Sequence, residues 1–174
     1  MKAFDIDISH LTNINYMFFK TGLEGRVELN HPTIPAAKST LSGDNAYANY
    51  SEVVLNLPEC TNIENICYHC YYTLKKVEGN LGKVTIGDYA FSRCYSFTSI
   101  TCEAKVPPTI GGSYTFGDID KSIPVYVPAS SVSAYRSAEY WKEFTNIIGI
   151  EEAFEDIVID KNINVLFLNN KKLI

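Results

Sequence analysis

Basic blocks are missing from this 174-residue chain, which carries a net charge of −5. Its longest cationic runs are the pairs Lys75-Lys76 and Lys171-Lys172. That argues against nucleic-acid binding through phosphate neutralisation. No apolar run approaches the roughly 18 residues of a membrane span, so none is expected. The opening Met1-Lys-Ala-Phe-Asp-Ile-Asp-Ile8 has neither an apolar h-region nor a small-residue cleavage site, and no signal peptide is read there. A glycine-rich phosphate cradle is also missing, because Gly111-Gly112 falls in a repeat turn.

Catalytic and metal-binding patterns are equally sparse. There are five cysteines, at 60, 67, 70, 94 and 102, and the odd number opposes a fully paired disulfide framework. Cys67-Tyr-His-Cys70 is a CxxC, but the second pair would be Cys94 and Cys102, eight apart, which is no second zinc knuckle. Buried core thiols are the expectation, with a metal site or a disulfide as the alternative. Only Cys67 or Cys70 beside His69 offers a local nucleophile and base, and sequence neighbours on a strand or turn often point apart. His31, before Pro32, reads as a loop residue. Gly117-Asp-Ile-Asp120 is too short for a calcium loop. The acids Glu151, Glu152, Glu155 and Asp156 read as a solvated junction. The expectation is a non-enzyme without cofactor or metal.

A repeat is present. Val84-Thr-Ile-Gly-Asp-Tyr-Ala-Phe-Ser-Arg-Cys-Tyr-Ser-Phe-Thr-Ser-Ile100 is one unit, and Pro108-Thr-Ile-Gly-Gly-Ser-Tyr-Thr-Phe116 begins the next. Phe91 aligns with Phe116 and Ile100 with Val125, each 25 apart. Tyr68 aligns with Phe91, 23 apart, and the same offset pairs Ile63 with Ile86, Tyr72 with Tyr95, Leu74 with Phe97 and Val77 with Ile100. Thr12-Asn-Ile14 recurs as Thr61-Asn-Ile63, 49 residues on, so a degenerate repeat belongs between them. Residues 32–49 fit a repeat loosened into a loop. A fixed apolar period means a solenoid, because no repeat buries its face alone. Each unit should place a short strand, centred on Val27, Val53 to Leu57, Val77, Ile100 or Val125, in a parallel sheet. An aromatic near Phe18 or Phe19, Tyr68, Phe91 and Phe116 should stack inside.

Ile86-Gly-Asp-Tyr-Ala-Phe-Ser-Arg-Cys-Tyr-Ser-Phe-Thr-Ser-Ile100 resembles the BspA-type leucine-rich repeat, with its I-G-x-x-A-F-x-x-C-x-x-L-x-x-I register. Val125-Tyr-Val-Pro128, Val132-Ser-Ala-Tyr135 and Trp141 look like the cap that closes such arrays, and Asn13-Ile-Asn-Tyr-Met-Phe18 like a related repeat variant. The resemblance implies an α/β repeat fold, a short leucine-rich-repeat solenoid displayed on bacterial surfaces, associated with adhesion and protein binding, and without catalytic residues. It places Cys94 at a small, buried ladder position.

Three regions follow: a solenoid over 1–129, a cap with a short helix over 130–150, and a tail over 151–174. Ser130 or Ser131 is the candidate helix N-cap. Val132, Tyr135, Tyr140, Trp141 and Phe144 give that cap an apolar face. In the tail, Phe154-Glu-Asp-Ile-Val-Ile159 and Ile163-Asn-Val-Leu-Phe-Leu168 flank a turn at Asp160-Lys-Asn162, the pattern of a β-hairpin. It either folds back or pairs with another subunit, since a lone hairpin is marginal in water.

If the strand centres point inward, their neighbours point out. Those are Arg26, Glu28, Asn56, Lys76, Glu78, Ser99, Thr101 and Tyr126, either a contact surface for protein or carbohydrate or a merely solvated face. Tyr71, Tyr72 and Tyr95 form a second strip suited to recognition or to packing. Two functional readings stand at this point. One is a non-catalytic protein- or glycan-binding module on a cell surface. The other is a structural or decorating protein of a bacteriophage virion (capsid, head fibre or tail), attached through its C-terminal β tail.

Overall fold

The computed structural model describes residues 8–43, 49–79, 81, 84–151, 157–160, 165–168 and 171–172. It is a parallel β-solenoid. Strands β1 (Glu24–Asn30), β2 (Asn49–Asn56), β3 (Lys76–Gly79), β5 (Ser99–Cys102), β7 (Val125–Pro128) and β8 (Ile147–Ile150) form one sheet in the order β1-β2-β3-β5-β7-β8. Two short strands, β4 (Thr85–Ile86) and β6 (Thr109–Ile110), pair in parallel on a second wall. Bridges from Ala36 to Asn62 and from Asn62 to Thr85 extend that wall toward the N-terminus.

The strand register agrees with the sequence alignment. Val27 pairs with Val53, Val53 with Val77, Val77 with Ile100, Ile100 with Val125 and Val125 with Ile147. These β-branched residues make one buried row, and β-branching suits such a pleated, half-buried surface. The sixth strand, β8, was not foreseen; it comes from the segment assigned to the cap. Six strands at ~4.8 Å give a face roughly 24 Å across.

Between second wall and sheet, each winding makes consecutive tight turns with a regular bonding pattern. In one winding Tyr68 N bonds Asn65 O and Cys70 N bonds Cys67 O, while Cys67 N reaches Ala90 O and His69 N reaches Ser92 O in the next winding. Local and inter-winding bonds thus alternate. The bend requires left-handed backbone at every fourth residue, supplied by Tyr16 and Lys20, by Asn65 and His69, and by Tyr89 and Arg93.

That geometry corrects two expectations. Asn65 and His69 match Tyr89 and Arg93 at an offset of 24, not 23. Cys67 therefore occupies the inner place of Phe91, and Tyr68 points to the half-exposed side. Residues 34–43 are likewise no loosened loop. They form the turn segment of a winding, with Leu41 inside and Leu41 N bonded to Ile66 O. Its Pro, Ala and Ser content disguises it because small residues serve where neighbouring windings approach closely.

Phe91 and Phe116 stack at 5.8 Å with an 11° interplanar angle. Trp141 and Phe144 carry the stack into the cap, at 5.2 and 5.3 Å from Phe116. Among the described residues the α-helix is α1 (Val132–Ser137), so the windings are β and turn rather than the α/β repeat expected. Ser131 occupies the N-cap position but makes no side-chain capping bond. Tertiary contacts hold the helix instead. Tyr135 Oη donates to Ala104 O at 2.8 Å, and Arg136 reaches Ile147 O at 3.1 Å.

The tail contributes β9 (Ile157–Asp160), β10 (Val165–Leu168) and β11 (Lys171–Lys172), antiparallel neighbours in a three-stranded sheet. The turn expected between β9 and β10 falls largely on 161–164, outside the described residues, as do the acids Glu152, Glu155 and Asp156.

Candidate functional site

Two surfaces were legible as candidates, and the structure gives them different characters. On the outer sheet face, cross-strand pairing puts Arg26, Glu52, Lys76 and Ser99 in one row. A second row holds Glu28, Val54, Glu78, Thr101, Tyr126 and Ile148. The outward residues named from sequence thus do share a face, with Asn56 on β2 hydrogen-bonded to Asn30 at 2.6 Å. Glu52, Val54 and Ile148 complete that face and were missed. Val54 lies within the segment read from Val53 to Leu57, and Glu52 just before it. Ile148 lies on the unforeseen sixth strand.

The charges on this face satisfy one another. Arg26 pairs with Glu28 at 2.7 Å and with Glu52 at 3.3 Å. Lys76 pairs with Glu52 at 3.7 Å and, more closely, with Glu78. Burial opposes ionisation of Arg26, but Glu52 and Glu28 together outweigh it and raise its pKa. The Glu78 contact, first among several, does the same for Lys76. Such exposed pairs stabilise little. Lys76→Ala or Arg26→Ala is accordingly expected to change stability by less than about 1 kcal/mol, in a salt-dependent way, as urea unfolding at low and high salt would read. A larger, salt-independent loss would mean that the network supports the fold.

The turn wall is aromatic. Tyr89 and Tyr114, from adjacent windings, stack at 5.1 Å and 3°. Tyr68 meets Tyr89 edge-on at 5.6 Å and His69 at 3.7 Å. His69 lies 5.0 Å from Tyr71. Tyr71 in turn lies 6.1 Å from Tyr72 and 5.8 Å from Tyr95. A continuous chain of rings therefore runs from Tyr114 to Tyr95, and Tyr72, Tyr89, Tyr95 and Tyr114 are exposed. Tyr72 and Tyr95 come together as the 23-residue alignment implies. Tyr89 and Tyr114 were missed, although their spacing of 25 equals that of Phe91 and Phe116.

Tyr89 holds φ at 58°, a left-handed conformation that a bulky side chain adopts only at a cost. Asn65, the matching residue one winding back, is a better fit for that backbone.

All five cysteines are free thiols and buried. Cys70 Sγ lies 2.8 Å from Tyr50 Oη and 3.7 Å from Leu41 O. Burial pushes Cys67 and Cys94 well above the ordinary thiol pKa, and Tyr50 above that of a phenol. Burial opposes ionisation of Cys70 too, but hydrogen bonds from Cys67, Cys94 and Tyr50 carry it below. Cys70 is completely enclosed, so the cluster is an internal polar seam between windings. Among the described residues no group of three or more His, Cys, Asp or Glu is arranged to hold a metal ion. His31 follows β1 outside regular structure, as the sequence suggests. It is buried, with Nε2 2.8 Å from Leu11 O and Nδ1 accepting from Thr33 N, and it ties the first winding to β1. Asp120 accepts from Ser122 N at 2.8 Å, closing a turn.

No helix among the described residues is long and apolar enough to cross a membrane. Comparison of the chain with family models, curated proteins and solved structures yields no match.

Proposed function

We propose that this chain is a non-catalytic recognition module of the BspA-type leucine-rich-repeat kind, contacting a protein or glycan on a cell surface through its turn wall. The continuous chain of rings from Tyr114 to Tyr95 is the observation that carries this reading. Exposed, contiguous aromatic surface favours association, and tyrosine offers contact area with few rotamers to freeze. The ion-paired sheet face is the weaker candidate, because its charges already have partners that a ligand would have to displace. The repeat kinship draws support from Ala90, Phe91 and Cys94, which all point inward at the A, F and C of the family register.

Beads coated with the protein are expected to adhere to at least one of a panel of bacterial and animal cells. The double variant Tyr72→Ser/Tyr95→Ser should lower that adhesion about 10-fold at unchanged thermal stability, the scale of a hot-spot loss. Arg26→Gln/Lys76→Gln should stay within about 2-fold, as rim charges do. Adhesion untouched by the tyrosine changes, or lost with the charge changes, sinks the assignment to the turn wall.

A structural role in a virion is the second reading, and the separate three-stranded tail sheet favours it. A sheet with two edge strands offers backbone groups for pairing with another chain. Light scattering on the full chain decides between them. A monomer supports the free-standing module, and a defined oligomer supports the fixed part.

A further inference from the structure

We infer that the ligand of the turn wall is a carbohydrate, seated on the triad Tyr71, Tyr72 and Tyr95 with Arg93 at its rim. The inference rests on the reading of this wall as the contact surface, and it names the chemistry.

The triad's geometry comes first. Its ring centroids form a nearly equilateral triangle with sides of 6.1, 5.8 and 5.9 Å. The interplanar angles are 31°, 39° and 39°. A column of three stacked rings would set its outer pair about twice as far apart as its neighbours, so these rings are not a column. Three rings inclined by less than 40° at equal spacing form one compact, partly overlapping cluster. Tyr72 is 65 % exposed and Tyr95 47 %.

Size decides between ligand classes. A tyrosine offers about 150–250 Å² in all, so the exposed parts of these two rings present roughly 200 Å². A protein partner covers ~800 Å² around a desolvated centre of aromatic and aliphatic anchors. Of the exposed aliphatic and methionine side chains, Ile148 lies on the sheet face and Met17 on the turn of the first winding. The triad matches the C–H face of one or two pyranose rings, whose weakly positive C–H groups meet the negative face of an aromatic ring.

Polar chemistry agrees. Arg93 is exposed beside the triad, and Tyr71, Tyr68 and Tyr95 lie near enough to favour its charged form. Among the described residues no carboxylate pairs with it. Its guanidinium carries five N–H donors, enough to serve Tyr71 and a sugar hydroxyl or carboxylate together. A phenolic hydroxyl can both donate and accept, as recognition of a sugar ring requires.

Saturation-transfer NMR on the full chain tests this with three probes: cellohexaose, chitohexaose and hexagalacturonate. Transfer to ring C–H protons of at least one probe is expected. Tyr72→Ser should weaken that binding about 10-fold, a stacking contact's worth, whereas Tyr126→Ser on the sheet face should leave it unchanged. Tyr72 is solvent-exposed, so its replacement spares the fold, and equal melting curves would check this. A response from hexagalacturonate alone that vanishes in Arg93→Met identifies an acidic sugar. A response from a neutral probe identifies a neutral one. No transfer to any probe, or transfer that Tyr72→Ser leaves intact, overturns the inference. A photo-crosslinker placed at position 72 separates the two failures. Cross-links to cell-surface protein that survive enzymatic deglycosylation, without sugar binding, overturn the carbohydrate and leave a recognition module. Neither signal overturns both.

Discussion

Trp141→Ala is expected to lower stability by about 3–5 kcal/mol, the range for truncating a large aromatic in a packed interior. Trp141 is buried and closes the open end of the aromatic stack, against Phe116 at 5.2 Å and Tyr135 at 5.2 Å. Its Nε1 donates to Pro108 O at 2.9 Å, so removal also leaves a buried carbonyl without its donor. In a solenoid each winding leans only on its neighbours, and loss of the end piece loosens the array from that end inward. Hydrogen exchange should accordingly accelerate first in β7 and β8. Trp141 is the single tryptophan, so circular dichroism rather than tryptophan fluorescence should follow the urea transition. A loss under about 1 kcal/mol would mean that the cap is not what seals the stack.

Gly79→Ala adds one methyl group and should cost a comparable amount, more than about 3 kcal/mol. Gly79 sits in the buried inner row of the sheet, paired with Cys102 of β5 and adjoining β2 on its other side. Its φ of 144° is one that side chains avoid, and an added Cβ would stand 2.8 Å from the Leu55 carbonyl carbon and nearer still to the oxygen. That neighbour is backbone within the sheet and cannot swing aside. Gly25→Ala is the matched control, because Gly25 has φ at 77° with nothing within 4 Å of the added carbon. It should cost only about 1 kcal/mol, the strain by itself. Equal urea midpoints for the two variants would contradict the close approach of β2 and β3.

Both changes bear on the proposed function. The rings of the wall come from successive windings: Tyr71 and Tyr72 from one, Tyr89 and Tyr95 from the next, Tyr114 from the one after. Their spacing is set by the sheet register that Gly79 permits and the stack that Trp141 closes. Loosening either should weaken ligand binding without touching a contact residue.

Much of this was readable from residues. Val77, Ile100 and Val125 announce the sheet register, and Phe91 and Phe116 the inner stack. The place of Tyr68 was not readable. The winding from Ile63 has one residue fewer before its turn than the winding from Ile86, and one more after it. The two differences cancel by Val77 and Ile100, so an end-to-end alignment cannot detect them. Residues 34–43 escaped because their bonds run to the adjacent winding, as Ser39 N does to Glu64 O, and composition does not record such partners.

The repeated apolar positions by themselves determined a stack of windings with a parallel sheet, because each row of Val and Ile can leave water only against the row beside it. Only the tertiary structure decided that the sheet's charges neutralise one another and that Tyr68 and His69 join the tyrosine pairs into one chain of rings. The reason is geometric. Which way a ring points depends on where the left-handed residues fall in each turn, and an offset of one residue carries a side chain from the core to the surface.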